Sequence, residues 1–134
     1  MPKSVKILLV DDSPNVLKVV SAILAARGYE IDTCGDIDVV VNKVETVKPD
    51  LLILDIMMPS EKGLDGIAVL SEIRGNPETA AIPVLLLSGI TANTAQSEED
   101  LRTTSGADDF LAKPFDADDL LERVEKLLKK GKKS

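Results

Sequence analysis

The sequence is poor in residue types that many active sites require. It contains no histidine and no tryptophan, and Cys34 is its single cysteine. Catalytic triads and dyads with a histidine base, histidine-ligated metals and a phosphohistidine donor are therefore excluded. One cysteine forms neither an internal disulfide framework nor a cysteine-cluster metal site. Aromatic residues make up 2% of the chain, so the core has to consist of aliphatic side chains.

Long apolar runs and basic clusters are also missing. No run approaches the roughly 20 apolar residues of a membrane span, and the start MPKSVKILLV becomes acidic too soon for a secretory signal. We therefore expect a cytoplasmic protein with no membrane contact. The net charge is −7, and the basic cluster KKGKK at 129–133 stands alone. This distribution argues against direct nucleic-acid binding, which needs a basic stripe.

The 134 residues fit a single domain, 1–134, with a core of about 4–129. Residues 130–134 are expected to be a basic tail or the start of a linker. Short apolar segments predict strands at 5–10, 30–34, 51–55, 83–87 and 109–112. Apolar residues at helical spacing alternate with them; these segments begin after Ser13, at Ile37, at Ile67 and after Asp116. A weaker helical pattern covers 91–105.

The alternation of strands and helices predicts an α/β protein. It favours a parallel sheet with helices on both faces. The first, third and fourth strands are continuous apolar runs, as strands buried on both faces must be, whereas the second and fifth are mixed and belong at the edges. This combination predicts a flavodoxin-like, doubly wound (βα)5 fold with five parallel strands in the order 2-1-3-4-5.

Polar side chains gather where the predicted strands end. Asp11 and Asp12 follow the first strand, Asp55 ends the third, Ser88 follows the fourth and Lys113 follows the fifth. Ligands of such sheets bind at the carboxyl ends of the strands. Two carboxylates about 4 Å apart repel by roughly 4 kcal/mol at an effective dielectric near 20. Mg²⁺ compensates such a repulsion, and it prefers oxygen ligands.

Each of these groups also has an ordinary structural explanation. Two aspartates after a strand can cap a helix, a Lys-Pro pair often forms a turn, and Ser88 can simply end a strand. The joint occurrence at four strand ends nevertheless favours a site.

Several motifs carry a family resemblance. They are VDDS at 10–13, DIMMP at 55–59, SG at 88–89 and KPF at 113–115, and GADDFLAKPF at 106–115 matches especially well. In this order they make the chain resemble a response-regulator receiver domain of two-component signalling, similar to the chemotaxis receivers, over about residues 4–129. The resemblance implies a phosphoryl-accepting switch that catalyses its own phosphorylation and dephosphorylation.

The resemblance also implies roles around the acidic residues. Asp55 would be the phosphoacceptor and Asp12 a direct Mg²⁺ ligand. Asp11 would be a ligand or a water-mediated partner, and the backbone carbonyl of Met57 would complete the protein's share of the metal shell.

Further roles implied by the resemblance concern the phosphoryl group and the switch. Ser88 would donate a hydrogen bond to a phosphoryl oxygen, and Lys113 would pair with the phosphoryl group. Ser88 and Phe110 would form the switch, and the bond before Pro114 would be cis. The expected partners are a histidine kinase or histidine phosphotransfer protein and a downstream target or the protein's own output domain. The chain would be a monomer or a weak, phosphorylation-dependent dimer.

The sequence departs from the family pattern near the site. MPSEKGLDG matches the family's loop only if residues 60–62 are an insertion, Ser88 stands where threonine is frequent, and Phe110 replaces a common tyrosine. These changes affect partner choice and switch amplitude and leave the site groups in place.

Other functions fit less well. The chain could be a receiver fragment of a larger regulator, or a receiver used only for docking. An aspartyl-phosphate phosphatase of the haloacid-dehalogenase type needs a second acidic residue at the position of Met57. A flavin-binding module needs a phosphate-binding loop after its first strand, where the acidic DDSPN would repel phosphate.

Overall fold

The computed structural model describes residues 5–55, 66–88, 108–112 and 115–131. Five parallel strands form one sheet in the order β2-β1-β3-β4-β5. The strands are β1 (Lys6–Val10), β2 (Glu30–Cys34), β3 (Leu51–Asp55), β4 (Val84–Ser88) and β5 (Asp109–Ala112). The predicted fold class and strand order are confirmed, with β2 and β5 at the edges.

The described helices are α1 (Pro14–Ala25), α2 (Val40–Val47), α3 (Gly66–Gly75) and α4 (Ala117–Gly131), and a 3-10 turn covers Ile37–Val39. Ser13 and Asp116, the residues directly before two of the predicted helical segments, are N-caps. The hydroxyl of Ser13 accepts a hydrogen bond from the Val16 N–H at 3.3 Å, and the carboxylate of Asp116 accepts one from the Asp119 N–H at 2.8 Å. Each bond satisfies an otherwise unpaired helix amide. The predicted helical segment 91–105 lies outside the described residues.

Helices cover the sheet in two layers, because successive side chains of a strand point to opposite faces. Ile7 and Leu9 of β1 pack with α1 and α4, whereas Leu8 and Val10 pack with α2 and α3. The largest fully buried side chains are all leucine or isoleucine, so the aliphatic core expected from the composition is confirmed for the described part of the chain. None of the helices described there combines the length and apolar character of a transmembrane span.

Several element bounds differ from those predicted; β1, for example, begins at Lys6 and not at residue 5. β4 begins at Val84, one residue late, because Pro83 has no N–H for the strand ladder; its carbonyl still accepts the Leu52 N–H at 3.0 Å. The second helix begins as a 3-10 turn because the Asp36 carboxylate accepts the Asp38 N–H at 2.9 Å and holds the chain in a tight turn. α2 ends where Lys48 adopts φ 51°, a left-handed conformation common at helix ends.

Candidate metal centre at the carboxyl edge of the sheet

The two central strands β1 and β3 bring Asp11 and Asp55 to the same edge of the sheet. Val10 pairs with Leu54, so Asp11, directly after β1, and Asp55, the last residue of β3, follow paired positions. Helices cover both faces of these strands, and the exposed fraction is 0% for Asp11 and 3% for Asp55. The parallel pairing predicted from the sequence therefore places two buried carboxylates side by side.

Asp11 is held by local hydrogen bonds that follow from the sequence DDSP. Its N–H donates to the Cys34 carbonyl at 3.1 Å, which continues the pairing of β1 with β2. Its carboxylate accepts the Ser13 N–H at 2.9 Å, two residues along, in the short-range bond typical of aspartate at turns. The carboxylate thereby lies at the amino end of α1, where the helix dipole stabilises a negative charge. Asp11 is thus oriented before any ligand binds.

Asp12 completes an acidic cluster with Asp11 and Asp55. One carboxylate oxygen of each residue lies within 4.8 Å of those of the other two. Asp12 is exposed, so the cluster opens to solvent on one side. Two unit negative charges 4.8 Å apart repel by about 3.5 kcal/mol at an effective dielectric near 20. A hard divalent cation offsets this repulsion and takes oxygen ligands, so the acidic cluster fits Mg²⁺.

The remaining predicted site residues are described in part or not at all. The backbone of Ser88 ends β4 and pairs with Ala112, and the backbone of Phe110 pairs with Leu86; their side chains are not described. Met57, Lys113, Pro114 and the predicted insertion at 60–62 lie outside the described residues. Their roles, and the cis bond before Pro114, stay predictions.

Sequence reasoning missed an ion pair at the other end of the strands, where β5 begins. Arg74, in the last turn of α3, places Nη2 at 2.6 Å from Oδ2 of Asp108, the residue before β5. The GADDF motif drew attention to Asp108, but its partner is 34 residues away and no local pattern links them. The available signal was an arginine within one predicted helical segment and an acid directly before a predicted edge strand.

A sequence model of the family "Response regulator receiver domain" matches residues 7–125. The chain belongs to this family. The predicted function, a phosphoryl-accepting switch of two-component signalling, is thereby confirmed at the level of the family.

Among curated proteins, the chain is 35% identical over 126 residues to the alkaline phosphatase synthesis transcriptional regulatory protein PhoP of Bacillus subtilis, covering 94% of this chain and 49% of that one. The chain spans about half the length of the curated relatives it matches.

Solved receiver structures are similar over almost the whole chain. A response regulator from Desulfuromonas acetoxidans has 34% identity and a TM-score of 0.80, covering 93% of this chain and 97% of that one. The receiver domain of the sensor histidine kinase PA1611 from Pseudomonas aeruginosa has 29% identity and a TM-score of 0.79, covering 95% and 99%. That structure has a magnesium ion coordinated in its active-site cleft.

Proposed function

We propose that this receiver domain accepts a phosphoryl group on Asp55. The observation that carries the proposal is the position of Asp55: a buried carboxylate at the end of a central strand, beside two further carboxylates. β3 is paired with β1 up to Leu54 and with β4 up to Asp55 itself, so its last residue is held at the end of a central strand. Phosphoryl transfer requires chiefly that the nucleophile be positioned and its surroundings neutralised.

The neighbouring aspartates are less suited to be the nucleophile. Asp11 follows β1 and its carboxylate is held against the amino end of α1 by the Ser13 N–H, and Asp12 is exposed. In the proposed step, a carboxylate oxygen of Asp55 forms a bond to phosphorus while the bond from phosphorus to the donor's leaving atom breaks. The product is an acyl phosphate on Asp55, and the leaving group departs with the bonding electrons.

The acidic cluster would hold the Mg²⁺ ion that this chemistry needs. Asp11, Asp12 and Asp55 supply the side-chain oxygens, and the sequence motif adds the carbonyl of Met57. Bound there, Mg²⁺ would offset the negative charge of the transferring phosphoryl group. Lys113 would pair with that group and Ser88 would donate a hydrogen bond to it. With Phe110, Ser88 would report the modification through β4 and β5.

The partners follow from the proposed chemistry. The chain has no histidine to serve as the donor, so the phosphoryl group comes from a histidine kinase, a histidine phosphotransfer protein or a small acyl phosphate. The readout is a downstream protein or an output domain attached to this domain. The net charge of −7 argues that residues 1–134, taken as one domain, do not themselves contact nucleic acid.

Labelling with acetyl phosphate tests the proposal. With Mg²⁺ present, intact-mass spectrometry should show one added phosphoryl group on the wild type and none on Asp55→Asn, whose amide is nearly isosteric but a poor nucleophile. Asp118→Asn is the matched control, because Asp118 is exposed on α4 and lies outside the acidic cluster. Full labelling of Asp55→Asn would show that the acceptor is another residue.

A further inference from the structure

The beginning of β5 is tied to the beginning of β4 through Asp108. The Asp108 N–H donates to the Val84 carbonyl at 3.0 Å, and Oδ2 of Asp108 accepts the Val84 N–H at 2.9 Å. Both backbone groups of the first residue of β4 are therefore bonded to the residue before β5. β5 has four residues and is an edge strand, so β4 is its one neighbour in the described sheet.

The guanidinium of Arg74 holds Asp108 in this position. Nη2 lies 2.6 Å from Oδ2 of Asp108, and Nη1 donates to the carbonyls of Ala80 and Ile82, both at 2.7 Å. One side chain at the end of α3 thus joins the turn that leads into β4 to the residue that leads into β5. The planar guanidinium matches several acceptors at fixed angles, which the single ammonium of a lysine does not. Charge-assisted bonds of this kind are among the strongest hydrogen bonds in proteins.

A second arginine anchors β5 from the other layer of helices. Nη1 of Arg123, on α4, lies 2.9 Å from Oδ1 of Asp109. The consecutive residues Asp108 and Asp109 therefore bond to arginines that come from opposite faces of the sheet. Of these two arginines, Arg74 is the one that acts on the carboxylate bonded to β4.

The pairing register that is set where β4 and β5 begin continues to the carboxyl ends of these strands, where the proposed site lies. From Leu85 paired with Asp109, the ladder runs to Ser88 paired with Ala112, and Lys113 is the next residue of the chain. At about 3.3 Å per residue, roughly 13 Å of strand separates the beginning of β4 from its carboxyl end. Because a β-strand transmits a shift along its length, a displaced start of β5 would displace its end relative to Ser88 and Asp55.

We infer that Arg74 is a positioning residue for phosphoryl transfer. Through Asp108, it sets the β4–β5 register and with it the placement of the proposed phosphoryl-binding groups, Ser88 at the end of β4 and Lys113 after β5. The inference rests on the proposed function. It separates two parts of the site: the acidic cluster lies on β1 and β3, and its Mg²⁺ affinity does not depend on β5, whereas the rate of transfer does.

The test compares three variants and a matched control. Arg74→Ala, Asp108→Ala and their double variant remove the contact. Thr79→Val removes a buried hydroxyl bond to the Ile73 carbonyl, 2.7 Å long, in the same turn after α3 but away from β5. Labelling by acetyl phosphate is timed at saturating Mg²⁺ and at a temperature where circular dichroism shows every variant folded. Mg²⁺ affinity is measured separately from amide shifts of Asp11, Asp12 and Asp55.

We expect Arg74→Ala to label about tenfold more slowly, since a displacement of about 1 Å can cost up to a hundredfold in rate. Asp108→Ala and the double variant should slow by a similar factor, because the two residues act through one contact. Mg²⁺ affinity should stay at the wild-type value, and Thr79→Val should label like the wild type.

Two results would overturn the inference. One is labelling of Arg74→Ala at the wild-type rate; the other is an equal slowing in Thr79→Val, which would mean that general loss of stability is responsible. The proposed function fails separately, if the wild type itself is not labelled on Asp55.

Discussion

The carboxylates of Asp11 and Asp55 lie within 4.8 Å of each other although both side chains are buried. Strand pairing brings the two carboxylates together, and the Ser13 N–H holds that of Asp11 in place. Folding therefore brings two acidic groups close to each other. Such an arrangement costs stability and persists where the function uses it. A cation that binds the folded state and not the unfolded chain should therefore stabilise the protein.

Mg²⁺ should raise the free energy of unfolding, by about 2.7 kcal/mol at a concentration of 100 times its Kd. Asp12→Asn should lose most of this increase, because it removes the exposed carboxylate of the acidic cluster. Urea unfolding with and without Mg²⁺ measures both values. Asp118→Asn, on α4, should keep the full increase. An equal response in Asp12→Asn and the wild type would place the ion elsewhere.

Ser88→Ala should separate phosphorylation from its readout. In the proposed site Mg²⁺ and Lys113 would neutralise the charge without the Ser88 hydroxyl, so the variant should still accept phosphate or beryllofluoride at Asp55. Without the hydroxyl, the phosphoryl group or beryllofluoride discriminates less between the active and the inactive conformation. The amide shifts over 91–112 should therefore be much smaller than in the wild type. Ser88→Thr keeps the hydroxyl and should restore them. A full shift pattern in Ser88→Ala would show that another group provides the coupling.

Tyr29, the one tyrosine of the chain, should ionise above its usual range. Burial raises the pKa of Tyr29 above 10.0, the negative charge of Glu125 raises it further, and the positive charge of Arg27 opposes both. Because the folded pKa is the higher one, the stability contributed by Tyr29 is complete below the unfolded value of about 10 and is lost as the pH rises through the folded pKa.

Ultraviolet absorbance of the tyrosinate measures this pKa directly, and Glu125→Gln should lower its midpoint. Urea unfolding above about pH 10 should show a steeper loss of stability in the wild type than in Tyr29→Phe. Parallel pH profiles of these two proteins would contradict the assignment.

Ser21→Ala should stabilise the fold. Oγ of Ser21, on α1, is buried and has no hydrogen-bond partner among the described residues. Removing an unsatisfied hydroxyl and gaining helix propensity should add about 1 kcal/mol to the free energy of unfolding. Thr46→Ala is the comparison, because the exposed Thr46 hydroxyl bonds to the Asn42 carbonyl at 2.9 Å; its effect should stay within about 0.5 kcal/mol. Destabilisation of Ser21→Ala in urea would mean that the hydroxyl has a partner.

The sequence was most informative where local chemistry decides the structure. Ser13 and Asp116 are capping residues directly before helical patterns, and the apolar runs of β1, β3 and β4 mark strands buried on both faces. The acidic cluster could be predicted because parallel strands end on the same side of the sheet. The strand order alone was enough to predict that Asp11, Asp12 and Asp55 lie close together.

Features that depend on tertiary contacts were not accessible in this way. Lys48 takes a left-handed conformation that usually indicates glycine or asparagine, so the end of α2 had no local signal beyond the proline that follows. The contact of Arg74 with Asp108 joins residues far apart in the chain, and it depends on the turn after α3 bringing two carbonyls to the same guanidinium.

Peptide mass spectrometry can locate the phosphoryl group on the chain and so identify the phosphoacceptor directly. After labelling with acetyl phosphate and Mg²⁺, borohydride reduction converts an aspartyl phosphate to homoserine, which peptide mass spectrometry assigns to a residue. Phosphorylation of Asp55 predicts homoserine at position 55 in the wild type and at no other aspartate position. Homoserine at Asp11 or Asp12, or a wild type that stays unlabelled while Mg²⁺ binds, would contradict it.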